Sequence, residues 1–90
     1  MNEELQKIVE EMQTIDKQAL EMAALVLKNS VLRNSLAPQA AAMGERLLVI
    51  GDALKSMDPN IYQAWTEKIS ESILDLNFVE RDLDIVSLRL

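Results

Sequence analysis

Apolar residues recur along the first part of the chain at alternating spacings of three and four: Leu5, Ile8, Met12, Ile15, Ala19, Met22 and Val26. A stripe with that rhythm marks one face of an amphipathic helix. Asn2 can cap its start, Glu3 and Glu4 suit the positive end of the helix dipole, and Glu3 precedes Lys7 in the favourable i,i+4 order. Its end is less sharply written. The segment LKNSVLRNSLAP offers two exits, Asn29-Ser30 and Asn34-Ser35, but Val31, Leu32 and Leu36 prolong the apolar pattern. Pro38 disfavours helix at Ala37, so the boundary is expected at Asn34 to Ala37 and the first helix over residues 3–34.

Pro38 fits the first turn of a second helix, whose stripe is Ala40, Met43, Leu47, Ile50, Leu54 and Met57, giving residues 38–57. The segment SMDPNIYQAW then restarts the pattern. Asp58 is placed as N-cap and Pro59 as first helical residue, with Met57 and Tyr62 spaced for a hydrophobic staple. A third stripe runs through Trp65, Ile69, Ile73, Leu76, Val79, Leu83, Val86 and Leu90 without glycine or proline, predicting a helix over 59–89 and placing Trp65 in the core. A kink near Asn77 would make four helices. The expected fold is all-α: an antiparallel three-helix bundle, long-short-long, forming a single helical domain over residues 1–90.

Unequal helices leave ends over. Outer helices of about 33 residues span about 50 Å and a middle one of about 20 spans about 30 Å, at the standard rise per residue. The overhangs would be Leu5 to Ile15 and Val79 to Leu90, both striped with apolar residues. Leu5, Ile8 and Met12, with Phe78, Leu83 and Val86, are therefore the candidate partner-binding residues. The segment ALEMAALVL (Ala19 to Leu27) is likewise apolar on more than one face. A second copy in a two-fold homodimer, or a helical hetero-partner, would cover such stripes.

The segment GERLLVIGDAL resembles a buried strand that delivers an aspartate, but no neighbouring segment could pair with it, and one strand makes no sheet. Nor is it a phosphate loop, since Asp52 and not Lys follows the second glycine. As helix, it sets Gly44 and Gly51 one heptad apart on a face continued by Ala37, Ala40 and Ala41. A glycine inside a helix costs about 1 kcal/mol relative to alanine, so the pair suggests a close helix seam, within the chain or with a second copy.

Composition narrows the chemistry. The 90 residues are 49% hydrophobic but only 3% aromatic, which leaves the core to Leu, Ile, Val, Met and Ala. Two glycines and two prolines are too few turn residues for a multi-stranded fold. With no cysteine and no histidine, the usual nucleophile, general base and zinc ligands are missing, so an enzyme, a cofactor or a metal is not expected. Paired carboxylates such as Glu10 and Glu11 match no calcium-loop pattern. A net charge of −6, with the basic residues scattered, argues against nucleic acid and anionic membranes. No apolar run reaches a membrane span and the N-terminus is acidic, so a cytoplasmic location is expected.

Glu67, Glu71, Asp75 and Asp82 fall on one side of the third helix, near Phe78 and Ile85, either as a solvated face or as an acidic strip for a basic partner. Met12, Met22, Met43 and Met57 lie along the seams of the first two helices, either as core or as an adaptable groove. The restart DPNIYQAWTEKISES resembles the helical-hairpin needle and co-chaperone proteins of type III secretion systems in its Asp-Pro-helix punctuation. That punctuation is common, so it assigns neither a family nor a residue role. The function expected from the chain is a non-enzymatic helical protein–protein interaction module: a regulator, assembly factor or co-chaperone subunit. The alternative is an acidic antagonist that occupies a basic site on a nucleic-acid-binding protein.

Overall fold

The structure, a computed structural model, describes residues 3–81. Three helices follow one another: α1 (Glu3–Lys28), α2 (Arg33–Met57) and α3 (Pro59–Arg81), with a single 3-10 turn, Ser30–Leu32, between the first two. All three pack against one another, α2 and α3 most extensively, and no strand occurs among the described residues. The all-α three-helix bundle expected from the stripes is therefore present. Its extents are 42 × 22 × 15 Å, the long one close to the roughly 38 Å that a 25-residue helix spans at 1.5 Å per residue.

Both turns use one device. At Asn29 the backbone is extended (φ −147°, ψ 97°); its N–H donates to the Leu25 carbonyl at 2.9 Å, and its side-chain oxygen accepts from the Val31 N–H at 3.2 Å. At Asp58 the backbone is again extended (φ −155°, ψ 94°). Its N–H donates to the Leu54 carbonyl at 2.8 Å, and its carboxylate accepts from the N–H groups of Asn60 and Ile61 at 3.1 and 3.3 Å. One residue thus closes one helix and caps the next, satisfying carbonyls and N–H groups that a helix end leaves open.

Asp58 and Pro59 play the parts the sequence predicts for them. The first turn differs. It falls at Asn29 and not at Asn34 to Ala37, so α2 begins at Arg33 and takes Pro38 into its second turn. Proline there leaves the Asn34 carbonyl without its helical donor, but Asn34 and Pro38 are both exposed and water can replace it. The 3-10 turn leads straight into α2, with the Arg33 N–H donating to the Ser30 carbonyl.

Moving that boundary changes the lengths. The described helices have 26, 25 and 23 residues, near-equal in place of long, short and long. α3 runs unbroken through Asn77, and the part of the third helix expected beyond Arg81 lies outside the described residues.

The register follows from two contacts. Arg46 on α2 pairs with Glu11 on α1, and Ser72 on α3 meets Asp16 on α1 at 2.6 Å. Counting back one residue at a time, the start of α1 is level with the end of α2 and the start of α3. The N-terminal stripe is therefore covered inside the bundle. Met12, Ala19 and Ala23 of α1, Ala40, Leu47 and Leu54 of α2, and Val79 of α3 are all fully excluded from solvent and belong to one continuous cluster.

Candidate interaction surface

Of the six residues expected to meet a partner, the four that the structure describes lie in or against the core. Leu5, Met12 and Phe78 are buried in the bundle core, and Ile8 is half-buried against it. An overhang requires a short second helix. With α2 extended to 25 residues, the chain covers its own N-terminal stripe. Leu83 and Val86 lie outside the described residues. Met12 and Met22 are buried and Met43 is half-buried against the core, so these methionines fill the core, whereas Met57, at the α2–α3 turn, is exposed.

The acidic strip is dispersed as well. Glu67 is exposed and Glu71 half-buried, but Asp75 turns fully inward, and Asp82 lies outside the described residues. Helical drift explains this: positions four apart rotate steadily around the axis, so a row of i,i+4 carboxylates leaves the solvent face after two turns. Trp65, expected in the core, is only half-buried against it.

The glycines do not mark a close backbone seam within the chain. A Cβ placed on Gly44 would meet nothing within 4 Å, and one on Gly51 would touch only the Tyr62 ring, at an ordinary 3.9 Å. Gly51 is buried, whereas Gly44 opens onto a shallow groove of about 200 Å³ between α2 and α3. Ala41, Gly44, Glu45 and Leu48 form one wall, and Ile73, Asn77, Glu80 and Arg81 the other.

Exposed apolar residues occur in the groove wall and on the helices that form it. Leu48 is 61% exposed and Leu74, next to Ile73, is 42% exposed. A second exposed group, Leu25, Leu27 and Val31, surrounds the Asn29 turn. At that end of the bundle Arg33 stacks over the Phe78 ring, 5.2 Å from its centroid, and its Nε donates to the Phe78 carbonyl at 3.2 Å. The groove-side leucine was legible in principle. Leu47, Leu48, Val49 and Ile50 are four consecutive apolar residues, which in a helix sweep most of the circumference, so at least one of them must face away from any single core.

Polar contacts between helices are few and structural in kind. The Ser72 hydroxyl, fully buried, donates to Asp16 at 2.6 Å and also lies 2.9 Å from the Lys68 carbonyl; Lys68 itself is 3.9 Å from Asp16. The one Ser72 hydroxyl proton goes best to the closer acceptor, the Asp16 carboxylate. The Arg46 guanidinium grips Glu11 with two donors, one at 2.7 Å. Those hydrogen bonds hold the Glu11 carboxyl below the usual carboxylate range, with the attraction between the charges adding to them and partial burial opposing. The same contact raises Arg46.

No cluster of acidic side chains suited to hold a metal ion occurs among the described residues, and none of the described helices is long and apolar enough to cross a membrane. No family model, curated protein or solved structure matches the chain.

Proposed function

We propose that the chain is a non-enzymatic helical interaction module that meets its partner through the outer face of α2 and α3, and not through the N-terminal stripe. The observation that carries this is Leu48, a leucine 61% exposed on the wall of the Gly44 groove, with Val49 beside it also exposed. Apolar surface next to a concave notch gains most from being covered. The absence of histidine and cysteine from the sequence supports a binding role over a catalytic one. The groove is too shallow and too open to enclose a small substrate, but it suits the side chains of a facing helix.

A photo-activated crosslinking side chain at position 48, compared with one at the exposed polar position Gln13, tests the reading in cells that express the chain. Position 48 is expected to give a discrete protein adduct and position 13 none. Equal, background crosslinking at both positions would overturn it.

A further inference from the structure

We infer that the partner on this face is a second copy of the chain, docked α2 against α2 about a two-fold axis at the level of Arg46; the inference rests on the interaction reading above. The groove is self-complementary. Gly44 is a notch in which a Cβ would meet nothing within 4 Å, and Leu48, one helical turn further along the same face, is a projecting knob. When two α2 helices cross antiparallel about a point midway between them, Leu48 of each copy lies over Gly44 of the other. A two-fold axis demands this reciprocity, in which residue i meets j and j meets i.

The charges agree with the shape. α2 and α3 run antiparallel along the groove, so Arg81 stands at the Ala41 end and Ile73 at the Leu48 end. Asp52, one turn beyond Leu48 on the same stripe, is exposed and makes no ion pair among the described residues. Arg81 is 65% exposed and only 3.9 Å from its neighbour Glu80. The two-fold that seats Leu48 on Gly44 also brings the Ala41 and Arg81 end of one copy level with Asp52 of the other. Two Arg81–Asp52 pairs then flank the leucine–glycine centre, an apolar middle with a charged rim.

From Ala41 to Asp52 the contact runs about 17 Å along the helix, short of a standard interface, so association in the micromolar range is expected. Sedimentation equilibrium of the full purified chain from about 1 to about 500 µM tests it across the range typical of such small contacts. The mass should rise from 10.1 kDa toward twice that value. Gly44→Leu fills the notch, its Cβ entering open space and the rest of its side chain lying in the groove, and Leu48→Glu removes the knob; each should weaken association about tenfold or more while helix content by circular dichroism stays unchanged. Asp52→Arg and Arg81→Asp should each weaken it about threefold, and the double charge swap should restore it.

A chain that stays monomeric throughout, a dimer indifferent to Gly44→Leu, or a charge swap that fails to restore association would each overturn the second copy as partner. The crosslink at position 48 separates this from failure of the interaction reading. An adduct of twice the chain mass supports the second copy; an adduct of any other mass overturns it and leaves a different protein as the occupant of the face.

Discussion

Leu47 and Leu48 are adjacent, chemically identical and on the same helix, yet one is fully buried and the other 61% exposed. The inner face of α2, with Ala40, Leu47, Ile50 and Leu54, closes the bundle. Its outer face, with Ala41, Gly44 and Leu48, lines an open groove. A helix rotates by a little over a quarter turn per residue, so a continuous apolar run feeds both faces, and only the position of the neighbouring helices decides which leucine becomes core. The two faces therefore differ in surroundings: one is enclosed by the other helices and holds the fold, the other is left open.

The sharpest break in that contrast is Leu47→Ala. Removing a fully enclosed leucine should cost about 2–5 kcal/mol, and in a chain of this size that can abolish cooperative thermal unfolding. Gly44→Ala is expected to act in the opposite direction. Because its Cβ has open space, the change should stabilise dilute protein by about 0.5–1 kcal/mol, read as a melting temperature higher by about 3–8 °C. A lower melting temperature would show that the outer face is packed more tightly than the groove implies.

Leu48→Ser should leave dilute-protein stability within about 0.5 kcal/mol of the parent, since a mostly exposed side chain has little burial to lose. A loss as large as that of Leu47→Ala would erase the distinction between the faces. The smallest effect belongs to the flank, where Arg46 holds Glu11. The Glu11 carboxyl is depressed when folded, so its stabilisation is present above the usual carboxylate range and disappears as pH falls through that lowered value. Glu11→Gln should flatten the acid side of the melting curve slightly between pH 7 and about pH 3, a modest change because both groups are substantially exposed. An unchanged acid limb would mean the pair adds nothing between α1 and α2.

The two turns show how far local signals reach. Asp58 was legible because aspartate, proline and a following apolar residue agree on one cap, and the structure places its carboxylate on the next N–H groups. Asn29 was not, although it works the same way. Its signal competed with Asn34-Ser35 and with Pro38, and a proline near a helix start is read more readily as its first turn than as an exposed residue in its second. The misplaced turn then misplaced the surface. A shorter α2 would expose Leu5, Ile8 and Met12; its 25 residues cover them and leave Leu48 and Leu74 outside.

By itself, then, the sequence determined the helical class, the Asp58 cap and most of the buried stripe. These follow from spacing and capping, which are local and periodic. Tertiary structure alone decided where α1 gives way to α2, that Asp75 turns inward, that Gly44 opens a groove, and which of two adjacent leucines remains outside. Those depend on the register between helices far apart in the chain, and register is set by the sum of many long-range contacts that no single stretch of residues encodes.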